Sequence, residues 1–274
     1  MRALAAAGGG GRPLGGGTDL LVQMKSGRAR PKAIVDLKRI PGMIGIREEG
    51  GGFSIGAATP GALLGEHTAL AAAWPGVVEG ANLIGSTQIQ GRATLAGNLC
   101  NASPAADSVP AMVAAGATAV VVGSKGRREV PVEQVPTGPG STSLAPDEFV
   151  AEIKLPARPP HAADAYLRLI PRTEMDIAVV GAGVNLTLDA GGTITDARVA
   201  LGAVAPTVIL VPDAAKAIIG TKLDEAALAA LDAAARAAAK PIDDKRGTVD
   251  YRIKIAGVLA RRAAGIAYER AKAR

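Results

Sequence analysis

The sequence predicts an α+β protein of two domains, and three features support this fold class. The chain has 274 residues, which is more than a usual single domain contains. Three prolines fall within residues 156–161 and mark the clearest boundary. After this boundary, strand-like segments come before helical ones, an order typical of helices packed on one face of an antiparallel sheet.

The first quarter of the chain alternates glycine-rich turns with short elements. Residues 1–12 are rich in Ala and Gly, and their start is expected to be poorly ordered. Three glycines then lead through Thr18 and Asp19, both good N-caps, into a short helix that begins at Leu20. The other elements predicted here are buried strands at 33–37 and 53–57 and helices at 62–74 and 76–84.

The chain is organised around residues 85–110, which are dense in small and short polar side chains and poor in core-forming ones. Such a stretch lets backbone N–H groups approach a phosphate closely. A helix over 105–115 is expected to follow and to favour an anion at its start. Residues 13–21 form a second glycine-rich stretch of the same character. Two such loops suggest a ligand whose diphosphate is clamped between them.

The elements of the second half follow from alternation and from helical spacing. Strands are predicted at 117–123, 128–132 and 148–156, with a loop at 136–143; after the boundary come strands at 165–170, 177–188 and 193–204. A helix over 224–240 is capped by Asp224 and places Leu228, Leu231 and Ala235 on one face. A last helix from Thr248 to about residue 272 is expected to bury Ile255, Val258, Leu259 and Ile266.

Composition argues against several classes of function. The net charge is +6, but aromatic residues make up only 2% of the chain, so there is no stacking platform for nucleic-acid bases. The single cysteine excludes an internal disulfide and an all-cysteine iron–sulfur cluster held by this chain alone, and two histidines argue against a His/Cys metal site. No signal peptide and no apolar run of membrane-spanning length is present, so a cytoplasmic location is expected.

Residues 177–186 imitate a dinucleotide-binding fingerprint, with Gly181 and Gly183 following a strand. The third position of the pattern is Leu186, and the residues after it continue a strand instead of opening a helix. Because the fingerprint depends on that helix N-terminus, we interpret these glycines as strand positions that allow close packing.

Few titratable residues lie in a catalytic pattern. His67 and His161 have no triad partners and are expected at the surface, and Cys100 is interpreted as a small buried residue. Asp107 follows small polar residues at a helix start, where it either accepts bonds from sugar hydroxyls or stabilises the helix. The charges between residues 168 and 176 are interpreted as a solvated turn.

Together these motifs resemble the medium, FAD-binding subunit of the molybdenum hydroxylases, the family of xanthine dehydrogenase and aerobic carbon monoxide dehydrogenase. The first flavin loop of the family, A-G-G-T-D-L, is similar to residues 15–20. The second, Q-I-R-N-x-x-T-I-G-G-N with S-P-x-x-D, is similar to residues 88–98 and 103–107. Segments 175–178, 200–207 and 241–252 resemble the C-terminal flavoprotein domain, so the likeness covers nearly the whole chain.

The resemblance implies a fold and a set of cofactor-binding residues. It implies an FAD-binding domain of the PCMH/vanillyl-alcohol-oxidase type over 1–158, with two subdomains that meet near 50–60, and a small α+β domain over 163–274. FAD is expected to bind non-covalently, with its diphosphate held by the two loops and its ring packed against Ile84 and Val150. Asp107 is expected to bind the sugar or ribityl hydroxyls. Arg168 is expected near the ring, where a cation stabilises reduced flavin. The cofactor-binding residues so implied are Pro13, Leu14, Gly15, Gly16, Gly17, Thr18, Asp19, Leu20, Ile84, Thr94, Leu95, Ala96, Gly97, Asn98, Ser103, Asp107, Val150, Arg168 and Asp176.

Two departures from the family pattern carry expectations. Ala96 stands in place of the first glycine of the G-G pair, which predicts a slightly altered diphosphate loop, since alanine tolerates less of the left-handed backbone region. The start of the chain also lacks the pattern of an opening strand and helix.

The resemblance further implies electron transfer, with no catalytic residue on this chain. The implied partners are a large molybdopterin-binding subunit and a small [2Fe–2S] subunit, and a dimer of heterotrimers is expected. The external electron acceptor is NAD, oxygen or a quinone. Two alternatives stay open at this point. A stand-alone flavin oxidoreductase would need its own substrate pocket with an acid or base, and a non-enzymatic basic scaffold or nucleotide sensor would carry no flavin.

Overall fold

The computed structural model describes residues 1–274 and confirms the α+β class. Two hydrophobic cores are present: one lies mainly among residues 4–155, and the other among residues 163–271. The predicted boundaries at 158 and 163 stay predictions, because Tyr166, Ala200 and Val208 of the second half pack into the first core.

The N-terminal part is a small parallel ribbon with two short helices. Strands β1 (Gly11–Leu14) and β2 (Ala33–Asp36) pair in parallel, and α2 (Leu20–Lys25) connects them. The prediction that the chain starts without a helix is wrong, because α1 (Arg2–Ala6) buries Leu4 in the first core. The expectation that β2 is buried is also wrong, since its residues are half-buried or exposed.

The first domain is built on a five-stranded antiparallel sheet. Its spatial order is β3, β4, β9, β5, β6, so β9 lies between the strand that precedes the central stretch and the strand that follows it. The predicted loop at 136–143 contains a small two-stranded ribbon. The bounds are β3 Ile46–Glu49, β4 Gly52–Gly56, β5 Thr118–Gly123, β6 Gly126–Pro131, β7 Pro136–Gly138, β8 Ser141–Thr142 and β9 Phe149–Leu155.

Six helices lie between β4 and β5, with the bounds α3 Gly61–Glu66, α4 Thr68–Ala73, α5 Pro75–Asn82, α6 Thr87–Gln90, α7 Leu95–Cys100 and α8 Ser108–Ala114. The helix predicted over 62–74 is broken at His67, whose ring Nδ1 accepts the N–H of Leu70 at 3.1 Å and so caps α4. The expectation that the central stretch contributes little core is wrong, because Leu95, Ala96, Leu99, Ala106 and Val109 all belong to the first core. Small side chains form core here because they let the helices approach closely.

The second domain is a four-stranded antiparallel sheet followed by helices. Its strands, in spatial order, are β10 Ala162–Leu169, β11 Val180–Leu188, β12 Ile194–Gly202 and β13 Ile209–Leu210, and its helices are α9 Pro212–Lys216, α10 Glu225–Ala238 and α11 Val249–Lys272. Asp224 caps α10, as the sequence predicts, and Thr248 caps α11. None of the helices, the 24-residue α11 included, is both long and apolar enough to cross a membrane.

The buried face of α11 differs from the prediction. Ile266 is 37% exposed, whereas an alanine stripe is buried instead. Alanines present little volume, so they let the helix backbone approach β10 and β11 closely. Of the other residues predicted to be buried, Leu259 is buried, as predicted, and Ile255 and Val258 are half-buried. The buried alanines are Ala256, Ala260, Ala263, Ala264, Ala267 and Ala271.

The glycines of β11 act as close-packing positions. A Cβ atom on Gly183 would lie 2.5 Å from the carbonyl oxygen of Pro110 on α8, and one on Gly181 would lie 2.6 Å from the Tyr166 hydroxyl. No helix opens after Gly183, so the dinucleotide fingerprint is excluded and the strand interpretation is confirmed.

Candidate functional site

One cavity of about 630 Å³ lies between the N-terminal ribbon and the helices of the central stretch. Three stretches supply most of its wall: residues 10–20, residues 93–101 and residues 144–150. The two glycine-rich loops that the sequence singles out therefore face the same space.

The first glycine loop offers an unbroken series of backbone donors. The N–H groups of residues 15–20 have no acceptor within the protein, although all six residues line the cavity. A Cβ atom on Gly16 would lie 1.8 Å from the carbonyl oxygen of Arg92, so only glycine lets the two loops touch. Unpaired backbone N–H groups arranged around a cavity are suited to an anion such as a diphosphate.

The second loop meets the first at the start of α7. Thr94 accepts the N–H of Gly97 through its hydroxyl at 2.9 Å, while the N–H groups of Leu95 and Ala96 have no acceptor in the protein. A Cβ on Gly97 would lie 2.8 Å from that hydroxyl oxygen, which explains glycine at this position. The expectation that Ala96 alters the loop is wrong on its physical premise, since Ala96 is helical and needs no left-handed backbone.

Charged groups support the glycine loop from behind. The Lys38 ammonium donates to the carbonyl oxygen of Gly15 at 2.8 Å and contacts the Asp36 carboxylate at 2.6 Å. The hydrogen bond from Lys38 lowers the pKa of Asp36. Asp19 lines the cavity without capping α2, and partial burial raises its pKa.

The structure brings most of the sequence-predicted residues to this cavity. Ile84 and Val150 add an apolar part of the wall, together with Phe149. Those that line it are Pro13, Leu14, Gly15, Gly16, Gly17, Thr18, Asp19, Leu20, Ile84, Thr94, Ala96, Gly97, Asn98 and Val150. Those that do not are Leu95, Ser103, Asp107, Arg168 and Asp176.

Three of the residues outside the cavity wall have structural contacts. The Leu95 side chain is buried in the first core, and the Ser103 hydroxyl accepts the N–H of Ala105 at 3.3 Å. Asp176 accepts the N–H of Ile177 at 2.8 Å and binds Arg172 and Arg246, contacts that lower its pKa.

Asp107 and Arg168 form a buried ion pair between the two domains. Arg168 Nη1 lies 2.6 Å from Asp107 Oδ2, and the Tyr166 hydroxyl donates to Oδ1 at 3.2 Å. Burial raises the pKa of Asp107 to about 6, against the opposing effect of Arg168. The pair lies close behind the cavity wall, because the neighbouring Ser108 donates to Asn98 Oδ1 at 2.7 Å.

Several lining residues fall outside the sequence-predicted set. Arg12, Arg28, Arg30 and Gln23 line the cavity, and no motif pointed to them. Cys100 also lines it and is half-buried, and burial raises the pKa of its thiol to about 12. No group of three or more His, Cys, Asp or Glu residues is arranged to hold a metal ion.

Two family matches cover most of the chain. Residues 1–158 match the family described as the FAD-binding domain in molybdopterin dehydrogenase. Residues 165–267 match the family described as the CO dehydrogenase flavoprotein C-terminal domain.

Individual relatives extend over nearly the full length. The carbon monoxide dehydrogenase medium chain of Afipia carboxidovorans is 39% identical over 96% of this chain and 89% of its own length. The putative xanthine dehydrogenase FAD-binding subunit of Escherichia coli K12 is 31% identical over 88% and 83%. A crystal structure of the Cu,Mo-CO dehydrogenase has a chain that superimposes with a TM-score of 0.92 at 36% identity, covering 98% of this chain and 94% of that one.

Proposed function

The chain belongs to the family of FAD-binding medium subunits of molybdopterin-dependent dehydrogenases, and from this premise we propose how its residues hold the cofactor. The diphosphate of FAD lies against the N–H groups of residues 15–20 and of Ala96, all of which line the cavity. The isoalloxazine ring packs on Ile84 and Val150. The unpaired donors of the two touching loops are the single observation that carries this proposal.

The polar groups of the cavity are suited to the diphosphate of FAD. Its donors are backbone N–H groups, which need no reorganisation to meet a diphosphate. The nearby Lys38 ammonium favours negative charge at the same loop. When bound, FAD supplies exchange between single-electron donors and a two-electron acceptor. The residues of this chain bind and orient it and shield it from water.

Asp107 and Arg168 act as a pair in this proposal. Arg168 is bound to Asp107, so the two hold the second domain against the start of α8, behind the part of the cavity wall that contains Asn98. The cofactor contacts of Ser103 and Asp176 stay predictions from the family motif, because the hydrogen bonds of both side chains go to other groups of the protein.

The chain is a medium subunit of a multisubunit complex. We propose that a small subunit with [2Fe–2S] clusters supplies electrons and that a large molybdopterin-binding subunit oxidises the substrate. We further propose a cytoplasmic dimer of heterotrimers with an external acceptor. Light scattering of the co-purified complex measures its mass, and a mass of one heterotrimer would contradict the dimer.

The experiment that tests the cofactor proposal is a visible absorption spectrum of the purified chain, expressed alone and with its neighbouring subunits. Flavin bands that are released into the supernatant on acid precipitation are expected for non-covalent FAD. A colourless protein that takes up no FAD, even beside its partners, would refute the proposal.

A further inference from the structure

One part of the cavity wall belongs to no flavin motif. Arg28 and Arg30 lie on the segment between α2 and β2 and both line the cavity. This segment is fixed in place: the Ala29 N–H donates to the Gln23 carbonyl at 3.1 Å, and the Gln23 side chain donates to Asn101 Oδ1 at 3.0 Å.

These contacts place the arginines at one end of α7 and the ring-binding residues at the other. Asn101 follows the last residue of α7, about 7 Å along the helix axis from Ala96. Ile84 lies towards the start of α7, since its carbonyl oxygen accepts from Gln90, which precedes that helix. A diphosphate at the start of α7 with its flavin beside Ile84 therefore directs the adenosine half towards Arg28 and Arg30.

The two guanidinium groups are free to bind a ligand. Neither Arg28 nor Arg30 forms a hydrogen bond or salt bridge with the protein, whereas the lining residue Arg12 is held on the carbonyls of Gly9 and Gly11. Of the two carboxylates in the lining, Glu148 is bound to Arg128 at 2.8 Å, and Asp19 belongs to the glycine loop.

The end of the cavity that contains Arg28 and Arg30 also lacks an aromatic side chain on which adenine could stack. Phe149 is the one aromatic residue in the cavity lining, and it lies beside Val150 of the ring-binding part. A planar guanidinium stacks on aromatic faces and pairs with phosphate oxygens, so arginine can replace an aromatic side chain against adenine. We propose that Arg28 and Arg30 bind the adenosine-phosphate half of FAD and make the site select FAD over FMN; this inference rests on the proposed function.

The test uses the full chain purified with its partner subunits and freed of flavin. Titration with FAD and with FMN, followed by flavin fluorescence, gives both dissociation constants. For the double variant Arg28→Ala/Arg30→Ala we expect FAD to bind at least tenfold more weakly, while FMN binding is unchanged. Arg262→Ala is the matched control, because Arg262 is an exposed arginine of α11 with no hydrogen-bond partner. If the alanine variant does not fold, Arg28→Gln/Arg30→Gln takes its place.

The outcomes separate this inference from the function on which it rests. Equal FAD affinity in the double variant and the control would overturn the role of the arginines while leaving FAD binding intact. Equal losses for FAD and FMN would overturn the assignment to the adenosine half. A wild-type chain that binds neither flavin would refute the proposed function itself.

Discussion

Gly16→Ala is the sharpest test of the two-loop site. The added Cβ would lie 1.8 Å from the Arg92 carbonyl oxygen, and contacts under 3.0 Å are essentially never seen, so the loops must separate by about 1.2 Å. The obstacle is backbone, which cannot rotate away as a side chain can. A hydrogen bond of ordinary length stretched by that amount no longer holds.

The expected loss follows from the donors that move. Each hydrogen bond to a charged group contributes about 1.5–3 kcal/mol, so losing one such bond weakens FAD binding by about 10-fold to 150-fold. We expect Gly16→Ala to lower both the FAD content and the FAD affinity of the purified chain, measured by visible absorption and by fluorescence titration.

Gly138→Ala is the matched control, because its Cβ would meet no atom within 4 Å and its backbone is not left-handed. It should keep wild-type affinity and melting temperature. If Gly16→Ala also binds FAD as tightly as the wild type, close contact between the loops does not form the site, and the reasoning is wrong.

Four further predictions follow from the same structure. Arg168→Ala leaves the buried Asp107 unpaired and should lower the free energy of unfolding by about 3–5 kcal/mol in urea titrations; an unchanged value would show that the pair does not join the domains. Asp164 of β10 is buried and accepts from Arg158 at 2.7 Å; burial outweighs this pairing and raises the pKa of Asp164 to about 6, so its carboxylate costs stability as pH rises from about 4 to 6. The wild type should therefore lose up to about 3 kcal/mol relative to Asp164→Asn across that range, and parallel curves would contradict this. Ala264→Leu should cost about 1–3 kcal/mol by overpacking α11 against the sheet, whereas the exposed Ile266→Ala should cost under about 0.5 kcal/mol; equal melting temperatures would contradict the alanine face. Cys100 should react slowly with iodoacetamide at pH 8, since its pKa is raised to about 12, and bound FAD should slow the reaction further; rapid labelling of the FAD-bound chain would place the thiol outside the cavity.

Local chemistry made the two glycine loops predictable. A run of glycines followed by Thr18 and Asp19 is typical of a tight turn that leads into a helix. In residues 94–98, Thr94 caps α7, and position 97 has no room for a side chain. Both features depend on neighbours within a few residues, so the sequence alone located the cavity wall.

Features set by distant residues could not be found in the same way. Asp107 and Arg168 are 61 residues apart, and no local pattern indicates that they pair. On α11 the prediction of buried Leu259 is confirmed, but the alanines of the same face were missed and Ile266 was misplaced, because a hydrophobic pattern favours isoleucine over alanine while the sheet selects for close approach. Arg28 and Arg30 belong to no motif. Their place in the cavity wall depends on the hydrogen bond between the side chains of Gln23 and Asn101, which are far apart in the sequence.

The second domain contacts elements that carry or adjoin residues of the cavity wall. It supplies no residue to the cavity wall, yet Arg168 binds Asp107, and the Met175 N–H donates to the Gly85 carbonyl, next to Ile84. These contacts hold the start of α8 against β10, and the segment that carries Ile84 against the loop between β10 and β11. An electron-transfer subunit needs its cofactor at a fixed place and needs no acid or base of its own. We therefore expect the two-domain contact to act on the position of the cofactor, so that weakening it lowers the flavin content of the purified chain, measured by visible absorption, while each domain keeps its fold.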